Sequence, residues 1–205
     1  DLVVIGLAAA QACDSVACDF AGASARLVQA ALAQGRRRIA FYGRQLHLEL
    51  QPFRARVDGY LTAMAAAGLP PQVCIAPAGL YRREELTACY AAAFAADPAE
   101  ACLLDVAHTA DLVAALHAQR PIPQALAVAG YGNADLPPGM AVPLHAFDAV
   151  FEPWDDLSCC AARRLLARLD GDRTRPTLSL VACDLIAGDS GLLSPCRAVP
   201  GIHTQ

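Results

Sequence analysis

The sequence predicts an α/β fold on a parallel, doubly wound sheet, and three observations carry the prediction. Short apolar runs alternate with longer segments of helical period, the pattern of strands separated by crossover helices. Residues 15–43, SVACDFAGASARLVQAALAQGRRRIAFYG, run strand, polar turn, apolar helix, basic turn and strand with almost no spacer. A 56% apolar content over 205 residues is ample for a buried core.

Strands are expected near 2–5, 15–18, 38–42, 72–76, 101–105, 125–130, 147–151 and 177–186, where apolar stretches are short. Cys18, Cys74, Cys102 and Cys183 lie inside such stretches, where a free thiol acts as a compact hydrophobe. Helices are expected near 21–34, 53–67, 83–96, 109–118 and 155–169. Val57, Leu61 and Met64 form one apolar stripe, and Leu157, Ala161 and Leu165 form another. Asp97-Pro98 closes the third helix, and LPPGMAVP at 136–143 breaks helical continuation and reads as a linker between lobes. Right-handed crossovers place helices on both faces of the sheet, and ligands then lie beyond the carboxyl ends of its strands.

Composition excludes several classes. Net charge is −4, so the chain lacks the basic excess needed to hold nucleic acid by phosphate neutralisation. The nine cysteines form no CxxC pair and are odd in number, which argues against a disulfide framework and fits a reducing cytoplasm. No apolar run spans a membrane, and the start lacks an export signal pattern. The five histidines, at 47, 108, 117, 145 and 203, show no metal-ligand spacing and no triad arrangement. Gly130-x-Gly132 is no dinucleotide fingerprint, because Pro137-Pro138 precludes the helix that would receive a pyrophosphate. No cofactor, metal or catalytic residue is implied.

Candidate ligand-binding residues stand at the strand ends. Arg56 opens a helix after a strand and loop, where its guanidinium can bind hydroxyls or a carboxylate bidentately, or simply face solvent. Arg44 and Arg54 lie nearby and add positive potential suited to an acid. Asp105 follows the apolar strand 101–104 and can accept from paired hydroxyls or cap the next helix, although Thr109 is the more direct cap. Tyr81 offers an amphipathic ring to a ligand or a cover to the core. Tyr131 and Asn133 flank Gly132 in the turn after strand 125–130, where an Asn is either a ligand group or a turn former. Asp19 ends its strand and can touch a ligand, but capping helix 21–34 is its simpler use.

In order along nearly the whole chain, five blocks resemble the effector-binding core of the LacI/GalR-family transcription regulators. They are Gly35-Arg36-Arg37-Arg38-Ile39-Ala40, Arg56-Val57-Asp58-Gly59-Tyr60, Asp97-Pro98 before the strand ending at Asp105, LAVAGYGN at 126–133, and LLARLDG at 165–171. The chain departs from the family pattern at Phe20, Gly132 and Gly188. The resemblance implies a periplasmic-binding-protein-like α/β fold of parallel doubly wound sheets in two lobes, the first lobe incomplete. Residues 1–18 and 147–180 would be a remnant of the N-terminal lobe, 19–146 and 181–190 the effector-binding lobe, and 191–205 a tail.

It also implies a cytoplasmic homodimeric regulator, a repressor in type, that binds a small sugar or sugar acid in the cleft and reaches DNA only through a headpiece absent from this chain. Arg56, Tyr81, Asp105, Tyr131, Asn133 and Asp19 would form its ligand-binding set. The run Gly130-Tyr131-Gly132-Asn133-Ala134-Asp135-Leu136 resembles the gluconate-responsive group. A periplasmic-type receptor serving a transporter and an enzyme on the same scaffold are the alternatives.

Overall fold

The computed structural model describes residues 2–6, 13–45, 50–80, 82–105, 109–132 and 148–193, and contains two sheets. In chain order the elements are β1 (Val3–Ile5), β2 (Asp14–Asp19), α1 (Phe20–Ala33), β3 (Ile39–Arg44), α2 (Gln51–Ala66), β4 (Gln72–Ala76), α3 (Arg83–Ala96), β5 (Ala101–Leu104), α4 (Thr109–Gln119), β6 (Ala127–Tyr131), β7 (Asp148–Phe151), α5 (Trp154–Leu169), β8 (Leu178–Ala182) and β9 (Asp184–Ile186). A three-stranded sheet has the order β1-β2-β8, and a six-stranded sheet the order β4-β3-β5-β6-β7-β9. All pairings are parallel except β7 with β9. The expected α/β class of mostly parallel sheets is therefore observed.

Two segments pass from one sheet to the other. β2 lies in the small sheet, and α1 follows it without a spacer to pack against α2 beside the large sheet. β8 pairs with β2, and after Cys183 the chain re-enters the large sheet as β9. The expected single strand over 177–186 is thus two strands with different partners. A second correction concerns 148–151. Assigned from sequence to the first-lobe remnant, this strand pairs with β6 in the large sheet, Gly130 opposite Ala149 and Tyr131 opposite Val150. Pairing outranks position in the chain here: with β6 on one edge and β9 on the other, the apolar Ala149 and Val150 are buried.

The large sheet is buried on both faces. Ile39, Phe41, Leu103 and Ala129 meet α1 and α2 on one side, with Leu27, Tyr60 and Met64. Ala40, Tyr42, Cys102 and Val128 face α3 and α4 on the other, with Tyr90, Phe94, Leu112 and Leu116. Each fully buried large side chain contributes about 1.5–3 kcal/mol relative to exposure. Tyr60 adds a polar tie: its hydroxyl donates to the Ile39 carbonyl at 2.7 Å and accepts from the Gln72 amide at 2.7 Å, so α2, β3 and β4 are pinned at one point. Burial raises the Tyr60 phenol to about 12, and it stays a neutral donor.

The α1/α2 interface explains Gly59. A methyl group there would stand 2.6 Å from the Ala21 Cα and 2.7 Å from its carbonyl carbon, closer than packed atoms tolerate. Only glycine lets the two helices approach this closely. That approach fixes where α2 presents Arg56, one turn earlier.

Two buried carboxylates hold the remaining segments. Asp14 receives Arg168 Nε at 2.6 Å and the Thr177 amide at 2.8 Å, with Arg164 Nε 3.0 Å away, which ties α5 to β2. These partners, the Arg168 guanidinium first, overcome burial and hold its carboxyl far below the usual range. Asp148, fully buried, accepts amides from Gly188, Leu192 and Leu193, while its own amide donates to Ser190 Oγ at 2.7 Å. Residues 188–193 are thereby fastened across β6 and β7.

Candidate functional site

The strand order β4-β3-β5 defines the crevice. The connection leaving β3 runs outward to β4, whereas the one leaving its neighbour β5 runs the other way to β6, so the two diverge and open a gap between the carboxyl ends of β3 and β5. Arg56 reaches this gap from α2, and Asp105 follows the last residue of β5.

The two meet there. Arg56 Nη1 donates to Asp105 Oδ1 at 2.8 Å, and Arg56 Nη2 lies 3.8 Å from Glu152 Oε1. Side-chain exposures of 15% for Arg56 and 10% for Asp105 make this a largely desolvated pair, whereas Glu152 retains 34%. The guanidinium carbon stands 4.0 Å from the Phe20 ring centre and 4.8 Å from that of Tyr131, distances at which an aromatic face attracts a cation. Tyr131 is positioned in turn by Ser24, their hydroxyls 2.5 Å apart, and by the Phe41 ring at 6.1 Å between centroids. Burial raises the Tyr131 phenol well above its ordinary value against the lowering effect of Ser24. The group is therefore a neutral hydroxyl at physiological pH.

Hydrogen bonding in this cluster is incomplete. Asp105 Oδ2 and Arg56 Nε are buried without a partner, as is Arg44 Nε at the end of β3. A buried polar group left unpaired costs about 1–3 kcal/mol. An acceptor and a donor thus stand unsatisfied within the Arg56–Asp105 pair, and a second donor does so at the end of β3.

The other expected residues are distributed differently. Asp19 caps α1, its Oδ1 accepting from the Gly22 amide at 2.8 Å. Arg56 sits in the second turn of α2, because that helix begins two residues earlier than expected, with Pro52 in its first turn. Tyr81 and Asn133 lie outside the described residues. Phe20, Ser24 and Glu152 join the cluster although sequence reasoning did not select them. Glu152 carried the signal that identified Asp105, a carboxylate just after an apolar strand, but its strand had been assigned to the wrong sheet.

A cavity of about 500 Å³ bordered by Leu2, Asp14, Arg168 and Thr174 lies beside the small sheet, away from this cluster. Both acidic groups on its wall, Asp14 and Asp172, are already paired with arginine. Among the described residues no group of His, Cys, Asp or Glu is arranged to hold a metal, and no helix is long and apolar enough to cross a membrane.

Two sheets linked by crossover strands, with a charged and aromatic cluster at the switch point, define a periplasmic-binding-protein-like α/β domain. Residues 28–191 match the model of the periplasmic binding protein-like domain, and the chain belongs to that family. Similar solved structures include the transcriptional regulator CelR in complex with cellobiose, 22% identical with a TM-score of 0.66, the match covering 92% of this chain and 58% of that one. A LacI family transcriptional regulator from Enterococcus faecium with bound ribose is 17% identical with a TM-score of 0.66, at 92% and 69% coverage. The transcription regulator CcpA of Lactococcus lactis is 18% identical with a TM-score of 0.65, at 92% and 68% coverage. The likeness is one of fold, and the chain spans between 58% and 69% of these three proteins. No curated protein matches it.

Proposed function

We propose that this chain is the effector-sensing domain of a LacI-type transcriptional regulator, a repressor, and that it binds a small sugar or sugar acid such as gluconate without chemical change. The observation that carries this reading is the Arg56–Asp105 pair at the topological switch point, desolvated, set against two aromatic rings and left with unpaired polar atoms. Sugar hydroxyls donate and accept at once, so one ring can satisfy both the carboxylate oxygen and the guanidinium nitrogen. The apolar face of a sugar suits Phe20 and Tyr131. Tyr81 and Asn133 belong to the proposed ligand set, and Asp19 serves at its edge. The liganded structures of CelR with cellobiose and of the Enterococcus faecium regulator with ribose support the sugar class.

Ligand preference for one arrangement of the two lobes shifts the population between arrangements. In a cytoplasmic homodimer carrying DNA-binding headpieces, that shift alters operator affinity. In this reading the domain is a sensor that leaves its ligand unaltered.

The test is a thermal-shift panel of aldoses, polyols and aldonates, followed by calorimetry on the responders. A ligand at a hundred times its dissociation constant stabilises the fold by about 2.7 kcal/mol. Binding lost in Arg56→Ala, with the fold retained, is the expected result. Unchanged affinity in that variant refutes the site.

A further inference from the structure

We propose that Arg44 is the anion-binding end of the effector site and selects a polyhydroxy carboxylate whose acid group it holds while the hydroxyls engage Asp105 and Arg56. The inference rests on the sugar-sensing reading above and goes beyond it by assigning each end of the ligand.

The cations near the switch point are not equivalent. Arg56 is already balanced by Asp105 at 2.8 Å and by Glu152 at 3.8 Å. A ligand carboxylate directed at Arg56 would stand beside two protein carboxylates and be repelled by both. Arg44 is the last residue of β3 and pairs in register with Ala76 of β4. Its Nη2 donates to the Leu80 carbonyl at 2.9 Å, its Nε is buried without a partner, and among the described residues no carboxylate forms an ion pair with it. A guanidinium held by a neutral carbonyl has no partner anion offsetting its charge, so an incoming carboxylate meets no repulsion from one.

Arg44 is also close to the hydroxyl-binding side. Tyr90 donates to the Gly43 carbonyl at 2.8 Å, and its phenol senses both charges, Arg44 lowering and Asp105 raising a pKa that burial has already pushed up. Gly43 follows Tyr42, whose carbonyl accepts the Asp105 amide at 2.8 Å. Arg44 and Asp105 are therefore on adjacent strand ends. Alternation along β3 turns Arg44 toward the α3 side, while Arg56 approaches from the α2 side. A short-chain hydroxy acid lying across the end of β3 would have its acid group at one and its hydroxyls at the other.

Binding of matched ligands differing only in charge tests the assignment: glucose, glucitol and gluconate, measured by calorimetry and thermal shift at low ionic strength. The proteins are the full chain, Arg44→Gln, Arg44→Lys and Arg56→Gln. The expected result is gluconate binding tightest, weakened at least tenfold in Arg44→Gln and less in Arg44→Lys, with glucose and glucitol unmoved by either change. Arg56→Gln should weaken all three. If Arg44→Gln binds gluconate like the unmodified chain, or loses affinity equally for charged and neutral ligands, Arg44 is not the acid subsite, while loss of sugar binding in Arg56→Gln would still uphold the sensing reading. If no ligand of either class binds the unmodified chain, both fail. Should Arg44→Gln not fold, Arg44→Lys carries the test, because it keeps the charge but loses the planar two-pronged contact, and unchanged gluconate affinity in it overturns the assignment.

Discussion

Replacing Gly59 with alanine tests whether the α1/α2 approach sets the geometry of the site. The added methyl would meet the Ala21 Cα at 2.6 Å and its carbonyl carbon at 2.7 Å, and neither backbone atom can swing aside as a side-chain tip would. The helices must move apart by several tenths of an ångström or more. Overpacking of this kind costs about 1–3 kcal/mol, and the better helix propensity of alanine returns about 1 kcal/mol. The difference centres on a net loss of about 1 kcal/mol, which in a domain of this size lowers the melting temperature by about 2–4 °C. The urea midpoint should fall with the m value unchanged. Exposed Ala65 on the same helix provides the scale, because Ala65→Gly reports the propensity difference alone with the opposite substitution. Arg56 precedes Gly59 by one turn, so displacement of α2 also draws the guanidinium from Asp105 and, if the proposed site is correct, weakens the proposed sugar binding in step. A Gly59→Ala protein as stable as the unmodified chain, or more so, would refute the claim that backbone contact at this point governs the helix pair.

Three further perturbations have defined outcomes. Asp105→Ala, which strands Arg56 with only the distant Glu152, should cost about 1–3 kcal/mol in chemical denaturation, below the 3–5 kcal/mol of a wholly buried pair because both groups keep some solvent; Asp105→Asn should cost less. Asp14 is held ionised in the folded state by Arg168 and its other partners. Its contribution is complete above the unfolded value of about 3.9 and is lost as pH falls through the lower folded value. The melting temperature should therefore drop steeply between about pH 5 and pH 2, while Asp14→Asn starts lower at pH 7 and shows a shallower acid limb; parallel curves would exclude Asp14 as the source. Asp148→Ala frees the amides of Gly188, Leu192 and Leu193, and their hydrogen exchange should accelerate by at least tenfold relative to amides of β3; unchanged protection would mean that the segment is held otherwise.

Local rules made most of the fold legible. The alternation of short apolar runs with helical segments located every helix among the described residues, and every strand apart from the division of 177–186 into two, because burial on both faces of a parallel sheet leaves a period that survives in the sequence. Partner choice is a different kind of information. β7 is legible as extended chain but was assigned to the wrong sheet, since nothing within Asp148–Phe151 distinguishes β6 from β2 as a neighbour, and 177–186 was drawn as one strand although the lobe division at 180/181 already separated its two halves. The break at Cys183 is likewise a property of two registers meeting, β8 on β2 and β9 on β7.

The site divides along the same line. Arg56 and Asp105 were legible as candidates because one opens a predicted helix and the other ends a predicted strand, and the carboxyl ends of parallel strands are where such a fold can expose charge without burying it unpaired. Glu152 obeys the same rule and was missed only through the error in strand pairing, so one topological correction recovers it. Arg44 is of another sort. Its position at the end of β3 was visible, but its significance depends on which partners the other charges have taken, and that is settled only when Asp105 and Glu152 converge on Arg56. A sequence identifies which side chains can carry a charge at a strand end, whereas the folded chain determines which of those charges is left for a ligand.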